Sequence, residues 1–118
     1  MGVKWIPFKN LDVDESEDNI KASAGRLGGF VAKNLTASTP LYLKLYKNVA
    51  ASVTVGTTVP DMTFYVPPID ETPANLIVDF GDGIYSANGW CIAATTGFAD
   101  NDNGAPGANE MIVSGTYV

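Results

Sequence analysis

Two carboxylates three residues apart, Asp79 and Asp82, are the nearest this sequence comes to a catalytic pair. Glycoside hydrolysis needs only two acids at a set separation, so the pair qualifies by type. Its setting points elsewhere: Gly81 and Gly83 flank Asp82, and two acids at a turn are ordinary solvated side chains. A second candidate is the run Asp100, Asn101, Asp102, Asn103, Gly104, whose alternating oxygen ligands resemble the start of a calcium loop. Such a loop needs a bidentate acid at its twelfth position. Counted from Asp100 that position is Met111, and Glu110 falls one place short. Asp and Asn side chains that hydrogen-bond their own backbone account for the run as a turn.

Other reactive groups are scarce. There is no histidine, and the single cysteine, Cys91, lies among Trp90, Ile92 and Ala93, where it reads as a small buried hydrophobe. The usual general base, the common zinc ligand and the thiol nucleophile are thereby removed, and no intrachain disulfide is available. The expectation is a protein that is not an enzyme, with no catalytic residue, no metal and no cofactor. Gly25, Gly28 and Gly29 around Arg26 match neither glycine-rich phosphate loop, since no helix follows and no lysine stands in the required place. Glycines inside a strand mark a bulge or a close backbone approach instead. Arg26 is the only arginine, and its rigid fork suits a carboxylate partner within or between subunits. Asn34, Leu35 and Thr36 form a glycosylation sequon, read as chance in a chain without a secretion signal.

From residue 20 onward the elements that must position these residues are strands. Short runs alternate with period two, separated about every ten residues by Gly, Pro, Asn and Asp, and about eight strands are expected. In LYLKLYK, Leu41, Leu43 and Leu45 point to one face and Tyr42, Lys44 and Tyr46 to the other, a half-buried strand. Met62, Phe64 and Val66 share a face, as do Leu76, Val78 and Phe80, and Trp90, Ile92 and Ala94. Each set is a candidate for one core. FADNDNGAPGANE reads as a loop before a last strand, MIVSGTYV. Many short strands with no helix between them predict an all-β fold, a single β-sandwich over residues 20–118, of jelly-roll type as one arrangement.

Residues 1–19 read differently. VKWIPF is an apolar patch interrupted by Pro7, and after it Asp12, Asp14, Glu15, Glu17 and Asp18 crowd into seven residues with no apolar stripe for a helix. The expectation is an extended N-terminal arm with an acidic linker. Trp5, Ile6 and Phe8 would anchor it on a neighbouring subunit or shell, the alternative being that it folds back to cap its own sandwich, and residues 9–19 reach about 35 Å at roughly 3.3 Å per residue. Such an arm predicts that the chain still folds without it.

One core is enough for 118 residues. Hydrophobic residues make up 46% and charged residues 17%, so much of the surface must be uncharged, the balance of a protein partly covered by neighbours. All seven cations precede residue 48, and eight of the thirteen acids follow it. A net charge of −6 argues against nucleic acid as a partner. No apolar run approaches the roughly 20 residues that cross a bilayer, so no membrane role is expected.

The segments IKASAGRLGGF (20–30), NLTASTPLYLKLY (34–46) and GIYSANGWCIAATTGFADNDNGAPGANEMIVSGTYV (83–118) resemble a family of small tailed-phage and prophage virion proteins. The resemblance rests on the SAGRL start, a strand ending in KLY, and the TTG..DND..AP.AN loop before the last strand. It implies a capsid decoration, or cement, protein made in the host cytoplasm and placed on the capsid surface of the virion. Its partners would be the major capsid protein and further copies of itself, a homotrimer first among the arrangements. A tail fibre, baseplate or receptor-binding component is the alternative within the same resemblance. The family's pattern carries an aromatic soon after SAGRL, where this chain has Gly28 and Gly29, and residues 1–19 lie outside it.

Overall fold

The computed structural model describes residues 4–118. Nine strands follow one another: β1 (Ile6–Asn10), β2 (Asp18–Lys21), β3 (Gly25–Asn34), β4 (Leu41–Tyr46), β5 (Met62–Val66), β6 (Asn75–Val78), β7 (Ile84–Ser86), β8 (Trp90–Thr95) and β9 (Met111–Tyr117), with one 3-10 turn at Ala50–Ser52. They form two antiparallel sheets. The first has the order β1-β9-β3-β6 with β7 also on β3, and the second the order β2-β8-β4-β5.

The pairs are nested, β1 with β9, β2 with β8, β3 with β6 and β7, and β4 with β5. A long hairpin rolled so that alternate pairs fall in opposite sheets has this order, the arrangement of a jelly roll. The two sheets enclose one core, as the alternation predicts. Leu27, Phe30, Ala32, Met111 and Val113 face inward from the first sheet, and Leu41, Leu43, Leu45, Val66, Trp90, Ile92 and Ala94 from the second. Met62, Phe64, Leu76, Val78 and Phe80 pack around them, half-buried. Phe30 joins the layers through edge contacts to Phe64 and Phe80, with centroids 5.7 and 5.9 Å away. Trp90, wholly buried, also satisfies its polar end, because Nε1 donates to the Ile84 carbonyl at 3.2 Å.

The N-terminal arm is corrected by the pairing. Residues 6–10 form an edge strand on β9, in register from Ile6↔Tyr117 to Asn10↔Val113, and residues 18–21 form an edge strand on β8. Pro7 is admissible there because an edge strand has one side without ladder bonds. The segment between crosses from one sheet to the other. Val13 plugs the gap with no exposed surface, its N–H donates to the Met111 carbonyl at 3.0 Å, and the Asp14 carbonyl accepts from Ala94 N at 2.7 Å. Three of the five crowded carboxylates act as acceptors: Asp12 accepts from Asn109 N, Asp14 from Ser16 N and Asp18 from Asn10 Nδ2. Acids that read as a repelling tether are acceptors for backbone and amide donors at a corner. The part of the expected arm at residues 1–3 lies outside the described residues.

The second sheet's outer face is also not what alternation alone suggests. Lys44 and Tyr46 do turn away from the core, yet both are buried, because residues 47–60 and the loop at 97–104 fold over them. Val53, Val55, Cys91 and Ala93 complete a small second cluster there. The sequon is likewise structural: Asn34 is fully buried and Nδ2 donates to the Thr39 and Val66 carbonyls at 2.7 and 3.1 Å.

Removal of residues 1–19 is therefore expected to abolish cooperative folding, since it bares β8 and β9 and takes Val13 from the core; circular dichroism of the truncated chain checks this. Trp90→Ala is expected to cost about 3 to 5 kcal/mol of a total of roughly 5 to 15, read by chemical denaturation.

Candidate binding cleft

Directly opposed residues of a sheet share a face, so the register assigns the outer side of the first sheet. Lys9↔Ser114, Ser114↔Val31 and Val31↔Ile77 make one row across four strands. Ile112↔Lys33 and Lys33↔Asn75 make a second, and Arg26↔Tyr85 stand together at the other end of β3. Between the two regions β3 bulges. Leu27 pairs with Tyr117 and Phe30 with Gly115, so Gly28 and Gly29 together oppose Thr116. This is the close backbone approach that the glycines predict: a Cβ at Gly28 would stand 2.6 Å from Thr116 Oγ1, and one at Gly29 2.9 Å from the Val78 carbonyl oxygen.

An open cleft of about 510 Å³ lies beside this bulge, lined by Trp5, Arg26, Gly81 and Asp82. The ladder from Ile6 onward sets Trp5 at the strand's outer side, and its ring lies over the glycines, 3.0 Å from where a Cβ at Gly28 would be and 2.9 Å from one at Gly83. Gly83 has the further constraint of φ +91°, a backbone state that other residues rarely adopt. The Arg26 backbone is pinned to Val118 by two hydrogen bonds of 2.9 and 3.0 Å, and its exposed guanidinium donates Nη1 to the Asp82 carbonyl at 3.3 Å. Within the chain its partner is thus a carbonyl, where the fork suggested a carboxylate.

Of the four expected contact residues, Trp5 and Arg26 meet in this cleft. Phe8 instead packs on the core, with its ring 6.3 Å from Tyr117, and Ile6 lies apart at the sandwich edge, 46% exposed. An indole, a guanidinium and a carboxylate on an open surface are groups that bind. The supposed catalytic pair is a turn: Asp79 Oδ1 accepts from Gly81 N at 2.8 Å and thereby shapes the cleft's rim. Sequence reasoning missed the part played by Gly81 and Asp82, for which the only available signal was their turn composition.

The loop at 100–104 has a different occupant. Lys44 Nζ donates to the Ala99 and Asp102 carbonyls at 2.8 and 2.9 Å, so the chain's own ammonium ties the loop to the sheet. Burial holds the Lys44 pKa below its ordinary 10.5, against the pull of the Asp102 and Asp100 carboxylates. Asp102 Oδ1 meanwhile accepts from Gly104 N at 2.8 Å, the local bonding expected of a turn. Among the described residues, no three His, Cys, Asp or Glu side chains gather as a metal site. Near Lys44 a further exposed group was unforeseen: Tyr42 lies 5.7 Å from both Tyr65 and Phe98, and Tyr65 donates its hydroxyl to Glu71.

Cys91 is buried, and burial first, then the charges of Glu17, Asp18 and Asp61, raise its pKa from 9.0 to about 12, so the thiol keeps its proton at neutral pH. Burial likewise raises Tyr46 from 10.0 to about 12, with Cys91, Glu17 and Asp100 adding to it, and its buried hydroxyl has no hydrogen-bond partner among the described residues. No protein-family model matches this chain, and no curated protein matches it.

Both raised groups keep their protons in the folded state at pH values where the unfolded chain has lost them. Their contribution is fully present below pH 9 and is lost as pH climbs from 9 toward about 12. Lys44 works in the opposite sense below 10.5. Denaturation midpoints across this range are expected to fall, with a shallower fall in Cys91→Ala. Tyr46→Phe removes an unsatisfied hydroxyl and is expected to stabilise by about 1 kcal/mol at neutral pH, whereas Lys44→Met strands two carbonyls and costs about 1 to 3 kcal/mol. The same denaturation curves read both.

Proposed function

We propose that this protein is a non-enzymatic structural component of a tailed-phage virion, a decoration protein that binds the major capsid protein on the outer shell and stabilises the particle. The observation that carries this reading is the asymmetry of the two sheets. The second is roofed by residues 47–60 and the loop at 97–104, while the first leaves Val31, Ile77 and Tyr85 exposed at 42%, 74% and 54% beside the Trp5 cleft. An uncovered apolar sheet face favours a chain that works in an assembly, in contact with further copies of itself or with the shell, because water gains from its burial. A use in assembly also fits a chain whose one thiol is buried, whose Asp79 shapes a turn and whose Lys44 serves a loop. Resemblance to small phage virion proteins supplies the particle.

A second reading, a tail fibre, baseplate or receptor-binding component, is favoured by one feature. The Tyr42, Tyr65 and Phe98 rings stand together at the surface, with Phe98 61% exposed, and rings with a polar handle are frequent at recognition surfaces. Copy number decides between them. Densitometry of purified virions is expected to give hundreds of copies per particle, lost in parallel with shell stability when the gene is deleted. A count of tens or fewer, confined to tails, assigns the second reading.

A further inference from the structure

Charge is sorted between two surfaces of this chain. The five strands of the first sheet contain Lys9, Arg26 and Lys33 and not one Asp or Glu, in a protein of net charge −6. All three cations are exposed, and the register places them on the outer face around Val31 and Ile77. Asp79 and Asp82 stand in the turn between β6 and β7 at that face's edge. Segment 11–18, the sheet crossing together with the first residue of β2, has the reverse composition, with five acids and no cation. It also offers an apolar knob, since Leu11 is 57% exposed next to exposed Asp12, with Glu15 and Glu17 half-buried behind.

We propose that the outer face of the β1-β9-β3-β6 sheet is the docking surface for the acidic crossover, residues 11–18, of a second copy of this chain. Leu11 of one copy covers the Val31–Ile77 pair of the next, and its acids meet Lys9, Arg26 and Lys33. The two surfaces are different parts of one molecule, so the contact is head-to-tail and closes only as a ring. An acidic segment fits this face better than a polyanion does. Branched aliphatic side chains lie between the cations, and the remainder of the molecule repels a nucleic acid approaching through solvent. The face comes from strand register and the crossover from its exposure and composition, so the inference stands whether or not the protein belongs to a virion.

The test is self-association of the full chain in two complementary variants, a face variant (Lys33→Glu with Ile77→Ser) and a crossover variant (Leu11→Ser with Glu15→Lys and Glu17→Lys). Light scattering and sedimentation are expected to give the parent a mass that is a multiple of 12.4 kDa and falls with added salt. Each variant, with a melt like the parent's, is expected to weaken self-association by roughly a hundredfold. An equimolar mixture forms a heterodimer and stops, because one intact face meets one intact crossover. If a variant misfolds, the parent's salt dependence and the single change Lys33→Glu carry the same expectation. A monomeric parent, a parent that binds duplex DNA through Lys33 in place of associating, an oligomer indifferent to Lys33→Glu, or a mixture that stays monomeric overturns the proposal. A monomer present in hundreds of copies on virions sinks this inference alone; a ring absent from virions sinks the virion reading alone.

Discussion

The insertion of the last strand between the first and the third is the contact on which the sandwich depends. β9 bonds β1 along one edge and β3 along the other, and its Met111 and Val113 are core residues. Strands more than a hundred residues apart in sequence must therefore meet before the first sheet exists. Every other pair nests inside that one, and the crossover at Val13 is held from both sides, by Met111 of one sheet and, one residue on, by Ala94 of the other. Closing so long a loop is unfavourable in entropy, and only burial of the shared core offsets it.

A small sandwich has two outer faces and little chain with which to cover them. Here the second sheet receives the covering. Residues 47–60 and the loop at 97–104 bury Tyr46, Cys91 and Lys44, at the cost of an unpartnered hydroxyl and a buried ammonium. Two carbonyl acceptors make the ammonium tolerable, while the hydroxyl has no such partner among the described residues. The first sheet is left bare, and its bulge at Gly28–Gly29 both admits the Trp5 ring and separates the Arg26 end from the Val31–Ile77 row. Surface chemistry follows from which face the loops were long enough to reach.

All-β character, the strands after residue 40 that alternate most clearly and the core faces they carry were legible from the sequence because alternation of side chains across a strand is a local property. Leu41, Leu43, Leu45, Trp90 and Ile92 show it directly, and the polar run after Phe98 reads as a loop for equally local reasons. The exclusion of Cys91 as a reactive thiol followed from its neighbours alone, and the structure leaves it buried.

What the tertiary structure decided is whatever depends on a partner distant in the chain. The carboxylate of Asp12 looks like one more repelling charge in sequence, and becomes a cap only when Asn109 presents its backbone donor. A short strand broken by Pro7 gains its place from β9, and Lys44 acquires two acceptors from a loop more than fifty residues on. Trp5 and Arg26 share a cleft because a glycine bulge lets the ring lie against the backbone. Periodicity records which way a side chain points relative to its own strand, whereas burial, capping and clefts are set by what other segments bring to that side.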